Sequence, residues 1–104
     1  MKRRKKILSQ TKGFRGGIAT KKRQAIEALH HAHLHAFAHR KDKKNDFRRL
    51  WTVRLNAALR AAGAKYSTFI KALKDKEVIL NRKMLAEMAA TRPEAFARVL
   101  AKIK

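Results

Sequence analysis

The chain has 104 residues, with 28 Lys plus Arg against 7 Asp plus Glu and a formal net charge of +21. That excess of one sign destabilises a compact monomer unless a partner neutralises it, yet an apolar content of 45% is too high for a purely disordered basic tail. The absence of cysteine excludes disulfides and thiolate zinc sites, no uncharged apolar run approaches the roughly 18 residues needed to span a bilayer, and the opening "MKRRKKIL" lacks the apolar segment of a secretory signal.

What remains reads as a soluble, very basic protein with room for one domain at most. The charge is divided unevenly. Residues 1–56 carry 17 Lys/Arg against 3 Asp/Glu, and residues 57–104 carry 11 against 4. The second part therefore has the better claim to a folded core.

Residues 1–19 join a basic cluster, Lys2 to Lys6, to the glycine-bearing stretch "KGFRGG". This reads as an extended arm or as a short helix followed by a turn, with too little apolar surface to order itself alone in water. From Thr20, a plausible N-cap, to Ala62 there is neither Gly nor Pro, and the good helix formers Ala, Leu, Lys and Arg dominate. Ile26, Leu29, His33 and Phe37 form a narrow apolar stripe, but residues 40–46, "RKDKKND", contain no apolar residue. A segment without an apolar face is solvated or lies on a partner. Asn45 and Asp46 are placed to cap a new helix from Phe47, so a kink or break is expected there.

Beyond that point the helical period is clear. Phe47, Leu50, Trp51, Leu55, Ala58, Leu59 and Ala62 recur at i, i+3, i+4 spacing, and Gly63 is placed as the residue that ends the helix. A short helix is predicted from Tyr66-Ser67 with Phe69, Ile70 and Leu73 inward. Another follows Asn81 as cap, carrying Leu85, Met88 and Ala89. A last one opens at "TRPE", residues 91–94, read as a capping box with proline in the first turn, and carries Phe96, Val99, Leu100 and Ile103. The fold class is therefore all-α: a long basic N-terminal arm and helix over residues 1–46, then a small four-helix globular domain over residues 47–104. At about 58 residues such a core is marginal, although many domains of this size fold alone.

The side chains offer little for catalysis. Asp42 and Asp46 lie in a basic field and are read as local ion-pair partners rather than as an acid–base pair. Ser9 and Ser67 lack a nucleophile-elbow setting, and "KGFRGG" lacks the spacing of a phosphate loop. No enzyme activity, cofactor or small-molecule substrate is expected. His31, His35 and His39 stack at i, i+4, i+8 with His30 and His33 beside them, a spacing that can bind zinc. The surrounding positive charge disfavours a dication, so they read as a polar, partly cationic face for bases or phosphates. The basic residues are the chemistry. Lys and Arg neutralise phosphates and release counterions, and Arg also forks onto phosphate and stacks on bases. Glycine arms and basic helix faces suit irregular RNA better than a regular duplex groove.

The stretch "KNDFRRLWTVRLNAALRAAG" resembles the signature of the bacterial-type large-subunit ribosomal protein twenty family. The matching positions are Lys44, Arg48, Leu50, Trp51, Arg54, Leu55, Asn56 and Ala57. Further matches follow in order: "YSTFI" at residues 66–70, "NRKMLAEMA" at 81–89 and "PEAF" at 93–96, with "KKILSQTKGFRG" at 5–16 resembling the family's N-terminal arm. The resemblance covers nearly the whole chain, and it departs at two places. The family's arm usually begins further upstream, and the five-histidine stretch stands where a Tyr/Arg/Ala-rich segment is usual.

The resemblance implies an all-helical protein whose basic extension is embedded in large-subunit ribosomal RNA and whose C-terminal domain is small and globular. It also implies a role in assembling that RNA, neighbouring large-subunit proteins as partners, no membrane, and a place on the ribosome of a bacterial cytoplasm or of an organelle, mitochondrion or plastid. The candidate RNA contacts are Lys2, Arg3, Arg4, Lys5, Lys6, Lys12, Gly13, Phe14, Arg15, Gly16, Lys21, Lys22 and Arg23 in the arm. Along the long helix they are His31, His35, His39, Arg40, Lys41, Lys43, Lys44, Arg48, Arg49, Arg54 and Asn56. The helix from Phe47 is expected to close the core with Phe47, Leu50, Trp51, Leu55 and Leu59, while Arg48, Arg49 and Arg54 project toward RNA. At this spacing Trp51 is read as core, the alternative being a platform for stacking bases.

Two functions other than a ribosomal structural role draw on parts of the same sequence. A regulatory RNA binder acting on a messenger would use the same basic surface. A DNA-compacting protein is disfavoured by the lack of a dimerising heptad and of a recognition helix with polar readers.

Overall fold

The computed structural model describes residues 2–103 and, among these, contains five α-helices, one 3-10 turn and no strand. The helices are α1 (Lys2–Gln10), α2 (Lys22–Ala61), α3 (Tyr66–Asp75), α4 (Arg82–Thr91) and α5 (Pro93–Ile103), with the 3-10 turn at Gly16–Ala19 between α1 and α2. The chain divides into two compact units, residues 1–43 and residues 44–104.

In the first unit the arm takes the form of a short helix and a turn. Ile7 and Leu8 of α1 are half-buried, as are Ile18, Ile26 and Leu29, while Thr11 and Ala25 are fully buried. The buried Thr11 hydroxyl donates to the Leu8 carbonyl at 3.2 Å, which meets its hydrogen-bonding need locally. Gly13 and Gly16 both sit at positive φ, 86° and 66°, where a side chain would be strained. These two residues turn the chain from α1 toward α2. Thr20 ends the 3-10 turn instead of capping α2, which starts two residues later.

In the second unit the core is built from Leu55 and Leu59 of α2, Phe69 and Leu73 of α3, Leu85 of α4, and Phe96, Leu100 and Ile103 of α5. The Phe69 and Phe96 rings meet at 6.3 Å and 51°, a tilted pair. Gly63, at φ 77°, ends α2 in a Schellman motif: its N–H donates to the Arg60 carbonyl at 3.0 Å and the Ala64 N–H to the Leu59 carbonyl at 2.8 Å. The same bond pattern closes α3, where the Glu77 N–H donates to the Lys74 carbonyl and the Val78 N–H to the Leu73 carbonyl, but Glu77 takes φ 53° without being glycine. Asn81 caps α4, its side-chain oxygen accepting from the Met84 N–H at 2.9 Å.

Three further expectations from the sequence are corrected. No break occurs at residues 45–46, because α2 runs unbroken from Lys22 to Ala61. With helix formers on both sides and no Gly or Pro, a break would strand backbone groups that the continuous helix satisfies. Second, Phe47, Leu50 and Trp51 are not core: Phe47 is 44% and Leu50 39% exposed, and Trp51 is half-buried outside the core cluster. Helices α3, α4 and α5 have only 10 or 11 residues each, about 15 Å of rise, and they cover α2 only from Leu55 onward. Third, the capping box does not form. The Thr91 hydroxyl donates back to the Glu87 carbonyl at 2.7 Å, since only Arg92 separates α4 from α5 and Thr91 still belongs to α4. Pro93 does occupy the first position of α5.

Candidate nucleic-acid interface

Every candidate contact in the arm is exposed: Lys2, Arg3, Arg4, Lys5, Lys6, Lys12, Gly13, Phe14, Arg15, Gly16, Lys21, Lys22 and Arg23. The five basic residues at 2–6 occupy more than one turn of α1, so their cations surround the helix, and Arg3 and Lys6 share the face of Ile7. Between α1 and the start of α2 lies a cleft of about 470 Å³. It is lined by Arg3, Lys6, Ile7 and Gln10 on one side and by Ile26, Leu29, His30 and His33 on the other. Its lining combines the aliphatic Ile7, Ile26 and Leu29 with two cations and two histidines.

Along α2, His31, His35, His39, Arg40, Lys41, Lys43, Lys44, Arg48, Arg49 and Arg54 are exposed, and Asn56 is half-buried. All residues from 30 to 50 are exposed without interruption. The His35 and His39 rings stack at 6.0 Å and 24°. They form a flat aromatic surface one turn deep. Lys41 Nζ sits 4.9 Å above the Phe37 ring, a cation–π contact that keeps an exposed phenylalanine beside a charge. Among the described residues no group of three or more His, Cys, Asp or Glu is arranged to hold a metal ion. Among the described residues no helix is long and apolar enough to cross a membrane.

The signature arginines do not share one face. At about 100° per residue, Arg48 and Arg54 each lie about 60° from Trp51 around the α2 axis, whereas Arg49 lies about 160° away. The Phe47 and Trp51 rings meet at 6.1 Å and 38° on the Arg48/Arg54 side. Asn56 lines a second cleft of about 520 Å³ with Arg60, Lys65, Tyr66 and Ser67. Tyr66 there accepts from Arg82 Nε at 2.8 Å. Arg60 and Lys65 were not among the residues singled out from sequence. The i, i+4 step from Asn56 to Arg60 was the available signal, but Lys65 reaches the cleft only because the Gly63 turn redirects the chain. His30 and His33 likewise join the α1–α2 cleft through a tertiary contact that helical spacing alone does not encode.

A family model described as Ribosomal protein L20 matches residues 1–99. The large ribosomal subunit protein bL20c of Rhodomonas salina is 47% identical over 104 residues, covering 100% of this chain and 90% of the relative. The bL20 proteins of Gloeobacter violaceus and Chloroflexus aurantiacus are 51% and 46% identical, over 94% and 95% of this chain and 82% and 83% of their own lengths. The signature around Trp51, the ordered matches downstream of it and the all-helical fold agree with these likenesses, and the chain belongs to the ribosomal protein L20 family.

Proposed function

We propose that this protein is a structural constituent of the large ribosomal subunit that binds large-subunit ribosomal RNA and supports its assembly, in a bacterial or organellar ribosome. The observation that carries this reading is the exposed run at residues 30–50. It holds Arg40, Lys41, Lys43, Lys44, Arg48 and Arg49 in helical order, with no core of its own. Those six cations outnumber the two carboxylates of the same run, Asp42 and Asp46, an excess that a polyanion would neutralise. Residues 1–46 then act as the RNA-embedded arm and residues 47–104 as the globular domain, which is free to meet neighbouring large-subunit proteins. Its relatives carry the name of a large-subunit ribosomal protein, and a scaffold made of helix and cation needs no catalytic group to fill that role.

The test is the salt dependence of binding to large-subunit ribosomal RNA by the full chain. If phosphate neutralisation dominates, log affinity falls linearly with log salt, by roughly 0.7–0.9 per contact. Replacing Arg48, Arg49 and Arg54 together with alanine leaves thermal unfolding unchanged, because none of the three is buried. It lowers affinity and flattens the slope by about two to three units. Unchanged affinity and slope would remove these arginines from the RNA surface.

A further inference from the structure

The face of α2 at Phe47, Leu50 and Trp51 is apolar, and the fold covers it only in part. Phe47 and Leu50 are more than a third exposed, Trp51 is half-buried, and none of the three belongs to the core cluster. The two rings stand one helical turn apart with centroids 6.1 Å from each other, inclined at 38°. Arg48 precedes Trp51 by three residues and Arg54 follows it by three, so an exposed guanidinium borders the ring pair on each side. The carboxylates nearest in sequence, Asp42 and Asp46, lie about 180° and 140° from Trp51 around the axis.

A protein packed on this face would leave both arginines at a solvated rim, where charge pairs contribute little. A nucleotide satisfies both features of the face together, because its base is an apolar plane and its phosphate an anion at the edge of that plane. Bases in an A-form duplex are stacked on both faces and offer nothing to such a surface, so the matching ligand is an unpaired or bulged nucleotide.

We propose that Phe47 and Trp51 form a stacking platform for an unpaired RNA base, with Arg48 and Arg54 holding the phosphates on either side. The proposal rests on the RNA-binding reading above and deepens it. The alternating order Arg48–Trp51–Arg54 then sets a local register along the strand, which phosphate contacts alone do not supply.

Trp51 is the only tryptophan in the chain, so its emission reports on this face directly. The full-length protein is titrated with a short single-stranded oligoribonucleotide and with an abasic oligonucleotide of the same length and phosphate number. The base-bearing strand quenches Trp51 at saturation and binds more tightly; the abasic strand binds without quenching. By filter binding, Trp51→Leu weakens the base-bearing complex by about 5- to 100-fold, the range for loss of one stacked base, and leaves abasic affinity unchanged. Phe47→Leu keeps the fluorophore and reduces the quenching. Circular dichroism of both variants confirms that the helices persist. If both strands bind equally without quenching and Trp51→Leu changes neither affinity, the platform is wrong while RNA binding stands, and the face belongs to a protein neighbour. If neither strand binds while the full chain still binds large-subunit ribosomal RNA, the platform is wrong; if that RNA is not bound either, the RNA reading fails with it.

Discussion

Between His30 and Leu50 not one side chain of α2 is buried, whereas five residues further along the same helix Leu55 and Leu59 have no exposed surface. The two stretches share one backbone hydrogen-bond ladder but differ in what keeps them helical. The second is held by packing against α3, α4 and α5. The first depends on intrinsic propensity, here Ala, Leu, Lys and Arg without Gly or Pro, against repulsion between its cations. Isolated helices of modest length are marginal in water even when propensity is high. A continuous helix thus says little about uniform stability along it, because only the buried end is ordered by packing within the protein.

The sharpest way to break this comparison is to truncate a leucine on each side of it. Leu59→Ala removes a fully buried side chain and should lower unfolding free energy by about 2–5 kcal/mol in chemical denaturation. A loss below about 1 kcal/mol would show that the core does not rest on α2. The ends of the short helices come next. Asn81→Ala removes the oxygen that accepts from the Met84 N–H and should cost about 1 kcal/mol. Glu77→Gly should act in the opposite direction, raising the unfolding midpoint by roughly 0.5–1 kcal/mol equivalent. It relieves a left-handed conformation that a side chain resists, and this gain outweighs the extra chain entropy of glycine. The smallest effect belongs to the exposed stretch. Leu34→Ala, at a side chain that is two-thirds exposed, should change stability by less than about 0.5 kcal/mol. A larger loss would mean that this part of α2 packs on protein after all.

The pattern of what was legible in the sequence follows from range. Helices α3, α4 and α5, the Asn81 cap and the Gly63 terminus were readable, because each depends on residues within a turn or two of one another. The eight core side chains were all among the periodic residues identified from spacing. Spacing did not reveal where the core stops. Phe47, Leu50 and Trp51 continue the same i, i+3, i+4 stripe as Leu55 and Leu59, and only the shortness of the helices packed against them leaves the first three outside. The misplaced break at Asn45-Asp46 has a related cause. A capping residue shows only that a helix is permitted to start there, and the helix arriving from upstream decides the matter. Among the site residues, the exposure of the cations was predictable from their charge. The clefts that gather His30 with Arg3, or Asn56 with Lys65, depend on chain reversals at turns.

Every member of the core cluster lies between residues 55 and 103, downstream of the exposed stretch at residues 30–50. Synthesis runs in the same direction. A nascent chain therefore presents its cationic residues to solvent well before Ile103 has been added, and the core, which needs α5, cannot close in that interval. If the basic segment binds RNA as proposed, that contact is available before the globular part can fold, and the domain would then condense on a tethered chain with less opportunity to aggregate with other unfolded copies.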